Sequence, residues 1–167
     1  MRSNLSLVPV PTPVLHGLAR GVVSTESDHL LSPYLRGDEC SGLWRMRSEQ
    51  IAATPADAPW ITRFVVVHGC LTPVGLAGFH GSPDESGMVE IGYRIDPQYR
   101  GRGYARQALE TLIAVAKARP AVRTVRATIS PDNHVSLAFV RGHGFTEVGE
   151  QWDVDDGVET ILERPAS

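Results

Sequence analysis

At 167 residues, with 42% hydrophobic and 21% charged residues, the chain has the size and balance of one soluble globular domain, 1–167, able to bury its own core. A formal net charge of −3 argues against a nucleic-acid partner, and no apolar run reaches the roughly 20 residues that span a bilayer, so no membrane association is expected. Cys40 and Cys70 stand far apart without CxxC spacing, and MRSNLSLVPVPTPVL lacks the sustained apolar stretch of a signal peptide; both point to free thiols and a cytoplasmic protein.

In chain order, residues 1–20, with the string PVPTP, read as an extended N-terminal segment. Residues 27–54 read as two short helical stretches broken by Pro33 and Gly37. The apolar runs ITRFVVVHG (61–69) and PVGLAGFHG (73–81) predict a hairpin turning at Leu71-Thr72-Pro73. MVEIGYRI (88–95) alternates as a strand, with Val89, Ile91, Tyr93 and Ile95 on one face and Glu90, Gly92 and Arg94 on the other. From Gly103 the apolar residues Ala105, Ala108, Leu109, Leu112, Ile113 and Ala116 recur at helical spacing until Pro120. VRTVRATIS (122–130) is a further strand, DNHVSLAFVRGHG (132–144) a short helix, and FTEVGEQWDV with VETILE a final hairpin about Asp155-Asp156-Gly157. The order predicts an α+β (mixed α/β) fold, one mostly antiparallel sheet covered by helices on both faces.

The stretch DPQYRGRGYARQAL (96–109) sets two glycines and two arginines at the mouth of a helix, where unpaired N–H groups and the helix dipole favour an anion. No G-x-x-x-x-G-K-[ST] string occurs, which excludes a Walker A nucleotide triphosphatase. A dinucleotide fingerprint fails because Arg106 stands at the third glycine and no Asp or Glu follows Glu110 until Asp132. What is left is a turn with main-chain donors freed by Gly101 and Gly103 beside Arg100 and Arg102, suited to a pyrophosphate.

QYRGRGYA (98–105) resembles the Q/R-x-x-G-x-G/A signature of the GNAT acetyltransferase superfamily. VEIGYRIDP resembles that family's central strand, and NHVSLAFVRGHGF (133–145) its second acetyl-CoA motif. The three strings together are most similar to the branch that includes the N-terminal acetyltransferases of ribosomal proteins. The resemblance covers 60–150, the implied acetyl-CoA-binding core, and implies a parallel strand pair, 88–95 with 122–130, that splays to admit the pantetheine arm. It implies cofactor contacts from Tyr93, Arg94, Ile95, Arg100, Gly101, Arg102, Gly103, Tyr104, Ala105, Asn133, Ser136 and Phe139.

Acetyl transfer to an amine requires a proton acceptor, because alkyl amines titrate near about 10.4 and α-amines near about 8. Glu90 is the candidate catalytic base, directly or through a water, and main-chain N–H groups around Tyr93 to Ile95 are the candidate oxyanion donors. Many family members carry a tyrosine seven residues after the asparagine as general acid; Val140 stands there, so that role stays unassigned or falls to solvent. Asp153, Asp155 and neighbouring carboxylates beside Trp152 form a candidate site for a cationic amine acceptor. Read alone, Glu90 also fits an exposed strand carboxylate, Asn133 a helix N-cap and Asp-Gly a tight turn. No metal site is expected, and Trp44, Trp60 and Trp152 are expected in the core or a pocket wall. The implied protein is an acetyl-CoA-dependent N-acetyltransferase, monomer or homodimer. A non-catalytic acyl-CoA-binding or sensor protein on the same fold is the alternative, and a nucleic-acid binder using RGR is disfavoured by the net charge.

Overall fold

In the computed structural model, which describes residues 4–22 and 30–167, the elements run β1 (Leu5–Pro9), α1 (Thr12–Ala19), α2 (Pro33–Arg36), α3 (Asp38–Ala53), β2 (Arg63–Val67), β3 (Gly75–Phe79), β4 (Met88–Ile95), α4 (Tyr104–Lys117), β5 (Thr124–Ile129), α5 (His134–Arg141), β6 (Thr146–Asp153) and β7 (Gly157–Pro165). Hydrogen-bonded strands follow the order β1-β2-β3-β4-β5-β7-β6. Pairing is antiparallel for β1 with β2, β2 with β3, β5 with β7 and β6 with β7, and parallel for β4 with β5. This is the mixed α+β architecture the sequence predicts, with its parallel pair at the expected strands. By their contacts the residues fall into two units, Met1–Ser82 with Gly92–Leu112 and Pro83–Ile91 with Ile113–Ser167, and the division runs through β4 and α4.

The first unit is built on α3, which turns Cys40, Trp44, Arg47 and Ile51 inward at three- and four-residue spacing. Trp44 and Ile51 pack with Leu15 and Leu18 of α1, Leu35 of α2, Ile61, and Leu76 of β3. Trp44 is 1% exposed, and its Nε1 donates to the Leu35 carbonyl at 2.7 Å, so the indole is buried without stranding its one donor. Truncating a side chain buried this way costs about 3–5 kcal/mol.

Two expectations change here. The segment 1–20 is not extended throughout: Leu5–Pro9 pairs with β2 from Leu5↔Val67 to Pro9↔Arg63, and Thr12–Ala19 is helical. Pro13 falls in the first helical turn, where its missing N–H has no intrahelical partner to lose, and Leu15 and Leu18 supply the buried stripe. Pro33 opens α2 instead of breaking a helix, with the Ser32 hydroxyl accepting from the Leu35 N–H at 3.3 Å as an N-cap. Residues 27–29 of the 27–54 reading lie outside the described residues.

In the second unit β5 alternates, with Val125 and Ala127 buried and Thr124, Arg126 and Thr128 on the other face. Helix α5 packs on β5 and buries Leu137 and Val140. Leu162 and Thr160 of β7 are buried, whereas β6 is exposed from Thr146 to Trp152 on both of its faces. Trp152 is 74% exposed, which removes it from the core, one of the two places expected for it.

Candidate active site

In the first unit the end of β4 runs into the glycine-rich turn. Asp96, 3% exposed, accepts from the Gln98 N–H at 3.1 Å and from Gln98 Nε2 at 3.2 Å. Burial alone would raise its pKa, but hydrogen bonds from the Ser32 hydroxyl and from Gln98 outweigh it and hold the carboxyl below the usual range. Ser32 thereby serves the cap of α2 and the end of β4 at once. A short helical turn, Pro97–Tyr99, follows. Arg100 Nε then donates back to the Ile95 carbonyl at 3.0 Å, closing the turn. The Arg102 guanidinium lies 5.6 Å from the Tyr99 ring centroid.

Gly101 and Gly103 have φ of +74° and +79°, a region that disfavours any side chain with a Cβ. A Cβ built on either meets nothing within 4 Å. The backbone demands glycine here while the space beside it stays open. The first helical bond of α4 is Gln107 N–H to the Gly103 carbonyl, 3.1 Å, so the N–H groups just ahead of Gln107 lie outside the intrahelical ladder, at the positive end of the dipole. Arg100, Gly101, Arg102 and Gly103 are exposed, and Tyr104 and Ala105 half-buried. The turn can therefore offer main-chain donors and two guanidinium groups to an anion.

Tyr93, Arg94 and Ile95 precede this turn on β4. The Arg94 side chain is committed to α3, its Nη1 donating to the Glu39 carbonyl at 2.5 Å and lying 3.6 Å from Cys40 Sγ. Burial pushes the Cys40 thiol up, against the opposing pull of Arg94. At Gly92 a Cβ would fall 2.8 Å from His80 Nε2. The His80 ring thus occupies the place of a side chain on β4. Its backbone carbonyl is fixed by Arg47 Nη1 at 3.0 Å and Gln50 Nε2 at 2.7 Å. Asp57 completes that scaffold, accepting from Gln50 Nε2 at 2.8 Å and from the Ser82 hydroxyl at 2.7 Å.

In the second unit Glu90 pairs with Arg126 in the parallel register of β4 and β5. Thr128, two residues along the same face, donates from Oγ1 to Glu90 Oε1 at 2.5 Å. Arg126 is turned toward β7, its Nη2 2.6 Å from Glu163 Oε1. Asn133 caps α5, its Oδ1 accepting from the Ser136 N–H at 3.1 Å. Phe139 is half-buried and meets His143 edge-on at 4.8 Å between centroids; Val140, where the resemblance implies a tyrosine, is fully buried. At the hairpin turn Asp153 Oδ1 accepts from the N–H groups of Asp155 at 2.8 Å and Asp156 at 3.0 Å, and these bonds lower its pKa. Asp155 is exposed. Among the described residues no group of three or more His, Cys, Asp or Glu side chains is arranged to hold a metal ion.

Sequence reasoning missed Thr128 and His80. A threonine in a strand is unremarked until its partner strand and register are known. His80 did leave a trace, since a glycine in the middle of a strand, here between Glu90 and Arg94 on one face, marks close approach by another group.

With this geometry in view, the family described as Acetyltransferase (GNAT) domain matches residues 34–146, and the chain belongs to that family. The uncharacterized N-acetyltransferase YjdG of Bacillus subtilis (strain 168) is 39% identical over 72 residues, and the match spans 43% of each chain, less than half of that curated relative. A dodecameric spermidine N-acetyltransferase from Vibrio cholerae superposes with a TM-score of 0.67 at 15% identity, over 99% of this chain and 96% of that one. RimL, a ribosomal alpha-N-protein acetyltransferase, gives a TM-score of 0.62 at 17% identity, over 98% of this chain and 94% of its own. At such identities the two structures speak for the fold alone.

Proposed function

We propose that the chain is an acetyl-CoA-dependent N-acetyltransferase, a single functional domain that moves an acetyl group to a primary amine by direct attack on the thioester. The observation that carries this reading is the turn at 100–105, where two positive-φ glycines with open space at both Cβ positions lead into the N-terminus of a 14-residue helix in a chain of this family. Arg100, Gly101, Arg102, Gly103, Tyr104 and Ala105 take the pyrophosphate, and Asn133, Ser136 and Phe139 contact the pantetheine arm. Main-chain groups of Tyr93, Arg94 and Ile95 receive the thioester, an N–H there facing the carbonyl oxygen as it gains charge.

An ammonium acceptor must lose one proton before it attacks and another as the intermediate collapses. Glu90, held by Thr128, accepts a proton directly or through a water. The thiol, with a pKa near about 8.5, leaves without a dedicated acid, consistent with the buried Val140. The acceptor is a peptide N-terminus or a small-molecule amine, cationic on arrival, met by Trp152, Asp153 and Asp155. The spermidine enzyme supports a polyamine and RimL a peptide N-terminus, and this chain's own VEIGYRI and RGRGYA strings support the ribosomal-protein branch. We place the protein in the cytoplasm, as a monomer or homodimer; two free thiols support a reducing compartment, and among the described residues no helix is long and apolar enough to cross a membrane.

The buried valine at position 140 also favours a second reading, an acyl-CoA sensor that binds without turnover. One assay decides between them. Acetyl-CoA binding is measured by calorimetry, and CoA release is then followed with polyamines, aminoglycosides, amino acids and short peptides. Release with any amine supports the enzyme, and binding with none supports the sensor.

A further inference from the structure

We infer that His80 is a second proton acceptor in the proposed transfer, taking the first proton from the acceptor's ammonium. This rests on the acetyltransferase reading and deepens it. Removing two protons from nitrogen needs more than one acceptor, and a carboxylate is poorly matched to the first of them. Ordinary carboxyl pKa values near about 4 lie some six units below an alkyl ammonium near about 10.4, whereas imidazoles as a class lie closer.

The geometry puts an imidazole where it can act. His80 is exposed, and its Nε2 lies 2.8 Å from where a Cβ on Gly92 of β4 would stand, so the ring faces that strand. Gly92 is the residue before Tyr93, at the start of the main-chain stretch assigned to the thioester. The backbone beneath the ring is pinned by Arg47, 5% exposed, and by Gln50, both on the His80 carbonyl. Arg47 comes from α3 and Asp57 from the turn after it, acting through Gln50 and Ser82; Glu90 and Arg94 flank Gly92 on the same face of β4. An imidazole that faces a glycine of β4, on a backbone held by two α3 side chains, is placed to exchange a proton there.

The step balances. His80 Nε2 takes a proton from the ammonium, and the freed lone pair attacks the thioester carbon. The C–N bond forms, and the C–S bond breaks with its electron pair going to sulfur. The second nitrogen proton passes to Glu90 and thence, through solvent, to the thiolate, while His80 returns its proton to bulk water. The products are the N-acetylated amine and CoA thiol.

The test compares wild type, His80→Gln, Gly92→Ala and Glu90→Gln with the best amine of the panel, reading kcat/KM from pH 6 to 9.5 and acetyl-CoA affinity separately. His80→Gln is expected to lose about 100-fold in kcat/KM at pH 7 with unchanged acetyl-CoA affinity, and to recover as alkaline pH supplies the free amine. Gly92→Ala displaces only the end of a side chain, so it should fold, show a similar pH-dependent loss, and add nothing to His80→Gln in the double variant. Glu90→Gln should lower the rate without moving the rise to alkaline pH. If folded His80→Gln keeps the wild-type rate and pH profile, His80 has no such role and the acetyltransferase reading stands. If wild type binds acetyl-CoA and acetylates no amine, both fall.

Discussion

Thr128 Oγ1 lies 2.5 Å from Glu90 Oε1 and donates its proton there, joining β5 to β4 through the one carboxylate of β4. A hydrogen bond to an ionised carboxylate restricts the rotamers of a glutamate that would otherwise have three free torsions. Thr128→Val removes the donor at nearly constant volume, and kcat should fall roughly tenfold, about 1.4 kcal/mol, as expected for one charge-assisted bond. Thr128→Ser should restore most of it. Acetyl-CoA affinity measured in parallel should stay constant; if kcat is unchanged in Thr128→Val, the orientation of Glu90 does not limit the reaction.

Gly103→Glu places a side chain and a negative charge at φ +79°, in the open space where the pyrophosphate is proposed to approach. Acetyl-CoA affinity should weaken by at least about 1–3 kcal/mol. Gly103→Ala separates backbone strain from charge, since it meets no neighbour and should cost stability more than affinity. Calorimetry on both, with circular dichroism for folding, gives the answer, and equal affinities for wild type and the glutamate variant would reduce the loop to an ordinary turn.

At the β6–β7 turn the two aspartates assigned to the acceptor are unequal. Asp153 holds the turn by accepting two N–H groups, whereas Asp155 is exposed and gives only its own N–H to that arrangement. Asp155→Asn should therefore raise the KM of a cationic acceptor at low salt and flatten its salt dependence, leaving the acetyl-CoA KM in place. Asp153→Asn should do this and also loosen the hairpin. Identical acceptor KM values at low ionic strength would leave both residues a purely local role.

Asp96 predicts a pH dependence of stability. Its folded pKa is depressed below the unfolded value of about 3.9, so its contribution is full above that value and is lost as pH falls through the folded pKa. Asp96→Asn should be about 1–2 kcal/mol less stable than wild type at pH 7, with the gap closing below about pH 4. Denaturation at pH 7, 5 and 3.5 measures it; a gap that widens in acid reverses the sign.

The elements with strong periodicity were legible in the sequence. MVEIGYRI is β4 without a residue's difference, and the hairpin about Asp155-Asp156-Gly157 falls where its turn residues predict. The first 20 residues were not, because the proline-rich string PVPTP spans the join between a strand and a helix, and only pairing with β2 and burial of Leu15 and Leu18 reveal either. The glycine-arginine turn could be read because its geometry is local, carried by glycines and arginines adjacent in sequence. Thr128 and His80 could not, since each gains its meaning from a residue 38 positions from Thr128 in one case, and from Gly92 and the α3 side chains in the other.

The turn that holds Gly101 and Gly103 also makes the protein its own protease reporter. Arg100 and Arg102 are exposed, each is followed by a glycine, and a Cβ built on either glycine would meet nothing within 4 Å. Trypsin cleavage after either arginine is expected to slow when a bound polyphosphate covers the turn. The time course of cleavage at 100 and 102 then titrates occupancy of the loop for any nucleotide-like molecule, including those that are never turned over.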